Sequence, residues 1–357
     1  MRTDVDATSL GAVQGAMPAD LIIQVTADTP SQELSYQEAI REALREEMMR
    51  DESVILLGED IGKHGGAFGV TRTLFEQFGP ERVRNTPISE NTIVGAAVGA
   101  ALVGMRPVAE IMFVDFSSLA IDQICNQAAK LRFMSGGQCT VPMVLRMPQG
   151  GGAGKSVAAQ HSQSLEVWYA SVPGLKVVLP STPYDAKGLL KAAIRDENPV
   201  VFLEHKYLYS FRGLVPRHDY VLPLAQSEVK REGSDVTIVA SGLMVWHAMM
   251  AAKVLARENI SVEVVDVRTI SPLDEDTIGA SVRKTGRAVV VAEPCRSYGP
   301  TGEWSIVIME QAFDHLRAPI VRLAGRNSSI PFANSIEKGF WPDTDSVVSA
   351  IRATIAY

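Results

Sequence analysis

Apolar residues recur at helical spacing over 35–51, where Ala39, Ile40, Ala43, Leu44 and Met48 share one face. Ser35 and Glu38 stand at capping-box spacing at its start. The pattern then alternates. Strands are predicted at 53–57, 107–113, 141–146, 175–179 and 199–203, with helices at 73–78, 91–105, 117–134 and 182–194. Ser89 is placed to cap the 91–105 helix, and Pro183 follows Thr182 at the favoured first helical position. Residues 207–226 lose the alternation and carry Pro216, Pro223, several aromatics and mixed charges, as an interdomain connection does. A second alternation places strands at 235–240, 261–267, 287–292 and 319–323, and helices at 244–258, 274–285 and 302–313.

The strands are continuous apolar runs, the signature of parallel sheets covered on both faces. Both halves therefore read as α/β layers with right-handed crossovers. The plan is a flexible leader (1–33), an α/β domain (34–210), a linker (211–228) and a C-terminal α/β domain (229–357). Open α/β sheets bind ligands at the carboxyl ends of their strands. The loops at 58–69, 113–118 and 148–163 are thus the places to look in the first half, and 241–244 and 293–301 in the second.

Composition narrows this picture without redirecting it. The 357 residues suffice for two domains, and 46% apolar with 21% charged residues is ordinary globular chemistry. A net charge of −7 argues against nucleic acid or an anionic membrane as the main partner. Cys125, Cys139 and Cys295 are far apart and form no metal or disulfide spacing. The longest apolar stretch, 92–105, is too short to span a bilayer. The first 30 residues carry Arg2 against Asp4, Asp6, Asp20 and Asp28, unlike a signal or transit peptide, so a soluble cytoplasmic protein is expected.

Single motifs are weak. The run Gln149 to Ser156 imitates a phosphate loop, but Gln149 stands where the first glycine belongs. Gly95, Gly99 and Gly104 fit one small face of a helix better than a dinucleotide fingerprint. Taken alone, Glu90 suits a first helical turn, Glu59 and Asp60 suit a solvated acidic loop, and His161 suits a hydrogen-bonded loop residue.

Taken in order, the segments are more specific. They are Leu-Gly-Glu-Asp-Ile-Gly ending at Gly62, Thr-Pro-Ile-Ser-Glu ending at Glu90, and Glu-Ile-Met-Phe-Val-Asp-Phe ending at Phe116. Ile-Asp-Gln-Ile-Cys-Asn-Gln-Ala-Ala-Lys follows, ending at Lys130, then Ala-Gln-His-Ser-Gln around His161 and Val-Arg-Thr-Ile-Ser-Pro-Leu-Asp ending at Asp274. From about Leu34 onward the chain resembles the beta subunit of the thiamine-diphosphate-dependent decarboxylating component of 2-oxo acid dehydrogenase complexes, of pyruvate, acetoin or branched-chain type.

The resemblance implies a transketolase-like pyrimidine-binding domain followed by a transketolase C-terminal-like domain. It implies an oxidoreductase that decarboxylates a 2-oxo acid on thiamine diphosphate and reductively acylates a lipoyl arm. Pyruvate is the leading substrate and acetoin the next. An alpha subunit would hold Mg²⁺ and the diphosphate through a Gly-Asp-Gly motif that this chain lacks. The implied assembly is a heterotetramer of two alpha and two beta subunits docked on a lipoyl acyltransferase core. Residue by residue, the resemblance assigns Glu90 to the pyrimidine nitrogen, Glu59 to an acidic proton path, Phe116 to stacking on the aminopyrimidine, and His161 to substrate and acyl transfer. It also implies a structural potassium site at Met143, Ala193, Ile194, Asp196 and Asn198. Two rival readings are a non-catalytic scaffold subunit and a nicotinamide or flavin enzyme; the latter needs a glycine fingerprint after a strand, which is missing.

Overall fold

The computed structural model describes residues 29–151, 157–337 and 339–357. The first half contributes β1 (Ser31–Ser35), β2 (Val54–Gly58), β3 (Val83–Asn85), β4 (Arg106–Glu110), β5 (Val144–Gln149), β6 (Lys176–Val178), β7 (Val200–His205) and β8 (Arg212–Pro216). The second contributes β9 (Glu228–Arg231), β10 (Val236–Ala240), β11 (Val262–Asp266), β12 (Thr269–Ser271), β13 (Ala288–Cys295) and β14 (Val321–Gly325).

A seven-stranded sheet runs β12-β6-β7-β5-β4-β2-β3, and a five-stranded one runs β14-β13-β10-β11-β9. Within the first, β6 through β3 are parallel and only β12 is antiparallel. Within the second, only β9 is antiparallel. The expected α/β class therefore holds, and the wholly buried strands β2, β5, β7, β10 and β11 explain the continuous apolar runs.

Local sequence explains most helix starts. Ser35 Oγ accepts from the Glu38 amide at 3.2 Å while the Glu38 carboxylate accepts from the Ser35 amide at 2.7 Å, completing the capping box. Thr182 caps the Pro183–Arg195 helix by accepting from the Asp185 amide. The two helices pack together, with Lys187 and Lys191 reaching Glu46 and with Arg195 on Glu47. The Glu90–Leu102 helix differs: Ser89 does not cap it, and its hydroxyl bonds Thr92 Oγ1 at 2.8 Å instead.

Three departures bear on the site. The expected 117–134 helix is broken into a 3₁₀ segment (Val114–Ala120), a wide π turn (Gln123–Ala128) and one α turn (Leu131–Met134). Ser117 is one cause. Its hydroxyl bonds the Val114 carbonyl at 2.5 Å and also the Tyr169 hydroxyl, competing with a regular ladder. Next, Ser31–Ser35 lies partly in the span read as leader and Arg212–Pro216 in the span read as linker, yet the two pair antiparallel. The rest of the leader, 1–28, lies outside the described residues. Finally, β12 comes from the second half but extends the first sheet by pairing with β6. Each apolar core cluster likewise contains residues from both halves.

Candidate active site

Strands β7, β5, β4, β2 and β3 are parallel neighbours, so the segments after them emerge at one edge. That edge gathers Glu59 after β2, Glu90 after β3, Phe113 to Phe116 after β4, Gly150, Gly151 and 157–163 after β5, and Lys206 after β7. The Glu90 helix packs directly on the Val114–Ala120 turn that carries Phe116.

Glu90 is the first residue of its helix and is 8% exposed. The helix N-terminus favours its negative charge. Among the described residues no hydrogen bond or ion pair engages its carboxylate. Glu59 is equally buried, and its carboxyl is pushed above the ordinary range by burial first, then by Glu90 and Asp60. Thr86 Oγ1, on the loop that leads into Glu90, is buried without a partner. A carboxylate on a buried residue and an unpartnered buried hydroxyl, beside a second acid, fit the polar edge of a heterocycle.

The aromatic side of the edge is built by three rings. The His161 imidazole lies 4.8 Å from the Phe113 ring centroid and 5.1 Å from that of Phe116, nearly perpendicular to Phe116 at 88°. Asp115, between the two phenylalanines in sequence, accepts from Gln163 Nε2 at 2.8 Å through Oδ1, while Oδ2 is buried without a partner. The Lys206 ammonium lies 5.2 Å from the Phe113 centroid and donates to the His161 carbonyl. Burial pushes the Lys206 pKa down to about 8, against the pull of Asp115, Glu293 and Glu337.

A buried ion network stands behind these loops. Arg146 on β5 meets Glu204 on β7 through Nε and Nη2 at 2.6 and 2.8 Å, and Glu110 on β4 through Nη1 at 2.6 Å. Tyr209 donates to Glu204 at 2.7 Å. At the end of β5, Gln149 is not a phosphate-loop residue. Its amide donates to Glu166 at 3.0 Å and accepts from the Leu165 amide at 3.3 Å. Lys155, the other half of that motif, lies outside the described residues. Gly95 sits within the Glu90–Leu102 helix against Gln123, as a small helical face does.

The five potassium positions cluster where the Pro183–Arg195 helix ends. Arg106 Nη1 already donates to the Ile194 and Asp196 carbonyls at 3.1 and 3.2 Å. The Met143 carbonyl accepts from Val200 and that of Ala193 from the Asp196 amide, while Asn198 bonds the Asp196 carboxylate. A carbonyl oxygen has two lone pairs, so a potassium ion here would share two of these oxygens with a guanidinium. Among the described residues no group of three or more His, Cys, Asp or Glu side chains forms a metal cluster.

The sequence singled out Glu59, Glu90, Phe116 and His161, and the structure gathers all four at one edge. It passed over Lys206, Glu293, Glu166 and Arg146. The signal for two of these was a charge inside an apolar strand: Arg146 within β5 and Glu293 within β13.

Comparison with known proteins agrees with this architecture. Residues 32–212 match the transketolase pyrimidine binding domain and 225–347 the transketolase C-terminal domain. A 2-oxoisovalerate dehydrogenase subunit beta of Bacillus subtilis is 48% identical over 89% of this chain and 98% of its own. An acetoin:2,6-dichlorophenolindophenol oxidoreductase subunit beta of Cupriavidus necator is 47% identical, covering 91% and 98%. A pyruvate dehydrogenase E1 component subunit beta of Rhizobium meliloti is 46% identical, covering 92% and 71%. Among solved structures, a split gene transketolase described as an inactive beta4 tetramer superposes with a TM-score of 0.73 at 25% identity, over 90% of this chain and 98% of that one.

The fold is thus that of a transketolase-like protein. The chain belongs to the family of beta subunits of thiamine-diphosphate-dependent 2-oxo acid and acetoin dehydrogenases. Subunits of this kind work with an alpha partner within a dehydrogenase complex. No helix among the described residues is long and apolar enough to cross a membrane.

Proposed function

We propose that this chain is the beta half of a 2-oxo acid dehydrogenase, decarboxylating a small 2-oxo acid and passing the acyl group to a lipoyl arm. Pyruvate is the first candidate substrate, with acetoin and branched-chain 2-oxo acids tested beside it. The supporting observation is Glu90, a buried residue whose carboxylate has no partner among the described residues, next to Glu59 at the carboxyl edge of the first sheet.

Thiamine diphosphate, when bound, supplies a carbon nucleophile that stabilises the charge left as CO₂ departs. This chain's residues do the rest. Glu90 holds a proton at the pyrimidine nitrogen, where a water-poor setting strengthens the hydrogen bond. Glu59, whose carboxyl is raised by burial and by the field of Glu90, is the second acid beside it on the proton path. Phe116 offers an apolar ring surface against the pyrimidine. His161, held against Phe113 and Phe116, presents a ring N–H for acid work at the acyl group.

In this reading the domain at 34–210 carries the pyrimidine side and the one at 229–357 braces it. The alpha subunit carries Mg²⁺ and the diphosphate. Two copies of each chain form a heterotetramer that docks on a lipoyl acyltransferase core in the cytoplasm. The experiment is reconstitution with the alpha subunit, thiamine diphosphate and Mg²⁺, followed by lipoyl acylation assays with pyruvate, acetoin and 2-oxoisovalerate. Equal activity without this chain, or with Glu90→Gln, would sink the proposal and favour the scaffold reading.

A further inference from the structure

The pair Gly150 and Gly151 and, separately, His161 are held by two consecutive residues at the end of β7, His205 and Lys206. On the glycine side, His205 Nδ1 accepts from the Tyr207 amide at 3.2 Å, which leaves the proton on Nε2. Nε2 then donates to Glu293 Oε2 at 2.5 Å, and Glu293 Oε1 accepts from the Gly151 amide at 2.8 Å. Glu293 belongs to β13, so the brace comes from the C-terminal half. Burial alone would raise the Glu293 carboxyl, but His205 and the Gly151 amide hold it below its ordinary range. Gly150 fits closely here: its φ is +83°, and a Cβ would fall 2.3 Å from His205 Nε2. The Gly150 amide also donates to the Gln163 carbonyl at 2.9 Å, which ties Gly150 to the residues just after His161.

On the His161 side, the Lys206 ammonium donates to the carbonyl of His161 itself. The groups facing that ammonium are Phe113 and Asp115 from the loop after β4, the His161 carbonyl, Glu293 on β13, and Glu337 from the Asn334–Glu337 turn. One carbonyl thus bonds, and three acids act through their field on, a cation that is only 7% exposed.

We propose that Lys206 is a positioning residue for His161, fixing its backbone so that the imidazole stands between Phe113 and Phe116, with His205 and Glu293 bracing Gly150 and Gly151 at the end of β5. This rests on the acyl-transfer role read for His161. Lys206 touches neither substrate nor cofactor in this scheme and acts through His161. Because burial brings its titration near pH 8, the charge that grips His161 is lost in an accessible range.

The test uses the assembled alpha–beta enzyme with a lipoyl domain as acceptor. Misplacing a reacting group by about 1 Å costs up to roughly 100-fold, so Lys206→Met is expected to lower kcat by about 10- to 100-fold, with a smaller change in KM. The wild type is expected to lose kcat above about pH 8. Lys206→Arg, charged throughout, is expected to restore kcat near neutrality and carry it past that limb. A wild-type profile flat from pH 7 to 9.5, together with an unchanged kcat in Lys206→Met, overturns the proposal. So does an arginine variant with the wild-type limb. His161→Ala separates the two layers. If it abolishes lipoyl acylation while Lys206→Met is silent, the clamp fails and the His161 reading stands. If His161→Ala is itself silent, both fail.

Discussion

Arg146 grips Glu204 through two nitrogens, at 2.6 and 2.8 Å, inside a sheet where neither side chain reaches solvent. With Glu110 on the opposite side, the guanidinium spans three neighbouring strands. Removing the cation leaves two buried carboxylates facing each other. Arg146→Leu is therefore expected to cost about 3–5 kcal/mol, read as a large fall in urea midpoint of the assembled protein. A midpoint within error of wild type would show that the acids take up protons at no cost.

Glu90→Gln keeps the shape and removes the acid. Acid–base groups contribute about 10²–10⁴-fold, so turnover of the reconstituted enzyme is expected to fall by at least about 100-fold with the fold unchanged by circular dichroism. The same substitution removes a negative neighbour from Glu59, whose carboxyl is raised by burial, then Glu90, then Asp60. The Glu59 pKa is expected to move down in the variant, followed by carboxyl infrared titration. No movement would mean the two acids do not share a field.

Glu166 carries a pH-dependent cost. Burial lifts its carboxyl to about 7, with Gln149 pulling the other way and Glu293 adding to the rise. The folded protein thus holds this proton more tightly than the unfolded chain, whose value is near 4.3. Between those two values the folded state binds more protons, so stability falls as pH rises through the window. Glu166→Gln removes that dependence and is expected to gain on the order of 2–4 kcal/mol relative to wild type at pH 8, little of it at pH 4. Parallel urea curves at both pH values check it; an equal difference at both would contradict the assignment.

Cofactor affinity should divide between chains. Isothermal calorimetry with Mg²⁺ is expected to show thiamine diphosphate binding to this chain alone at least about 100-fold more weakly than to the alpha–beta pair, a loss of roughly 2.7 kcal/mol. Tight binding by the single chain would contradict a site shared with the alpha subunit.

Much of this was legible in the sequence because it follows from local periodicity. The Ser35–Glu38 box, the Thr182–Pro183 start and the apolar strands are each decided by a handful of adjacent residues. Glu90, Phe116 and His161 were legible through ordered motifs rather than chemistry visible at one position. What escaped depends on distant partners. Ser117 breaks its helix partly because Tyr169 waits 52 residues on. Ser31–Ser35 becomes a strand only when Arg212–Pro216 folds beside it. Lys206 could not be singled out, because nothing in its neighbourhood of sequence shows His161 or Glu293 arriving.

The strand Thr269–Ser271 makes the boundary between the two matched domains a poor place to cut the gene. A fragment ending near residue 224 would leave the strand Lys176–Val178 with its outer hydrogen-bonding row bare, because Thr269 and Ser271 stay on the other piece. Such an uncovered edge recruits other chains. Fragment libraries and split-reporter fusions of this protein should therefore keep residues 269–271 with the N-terminal piece.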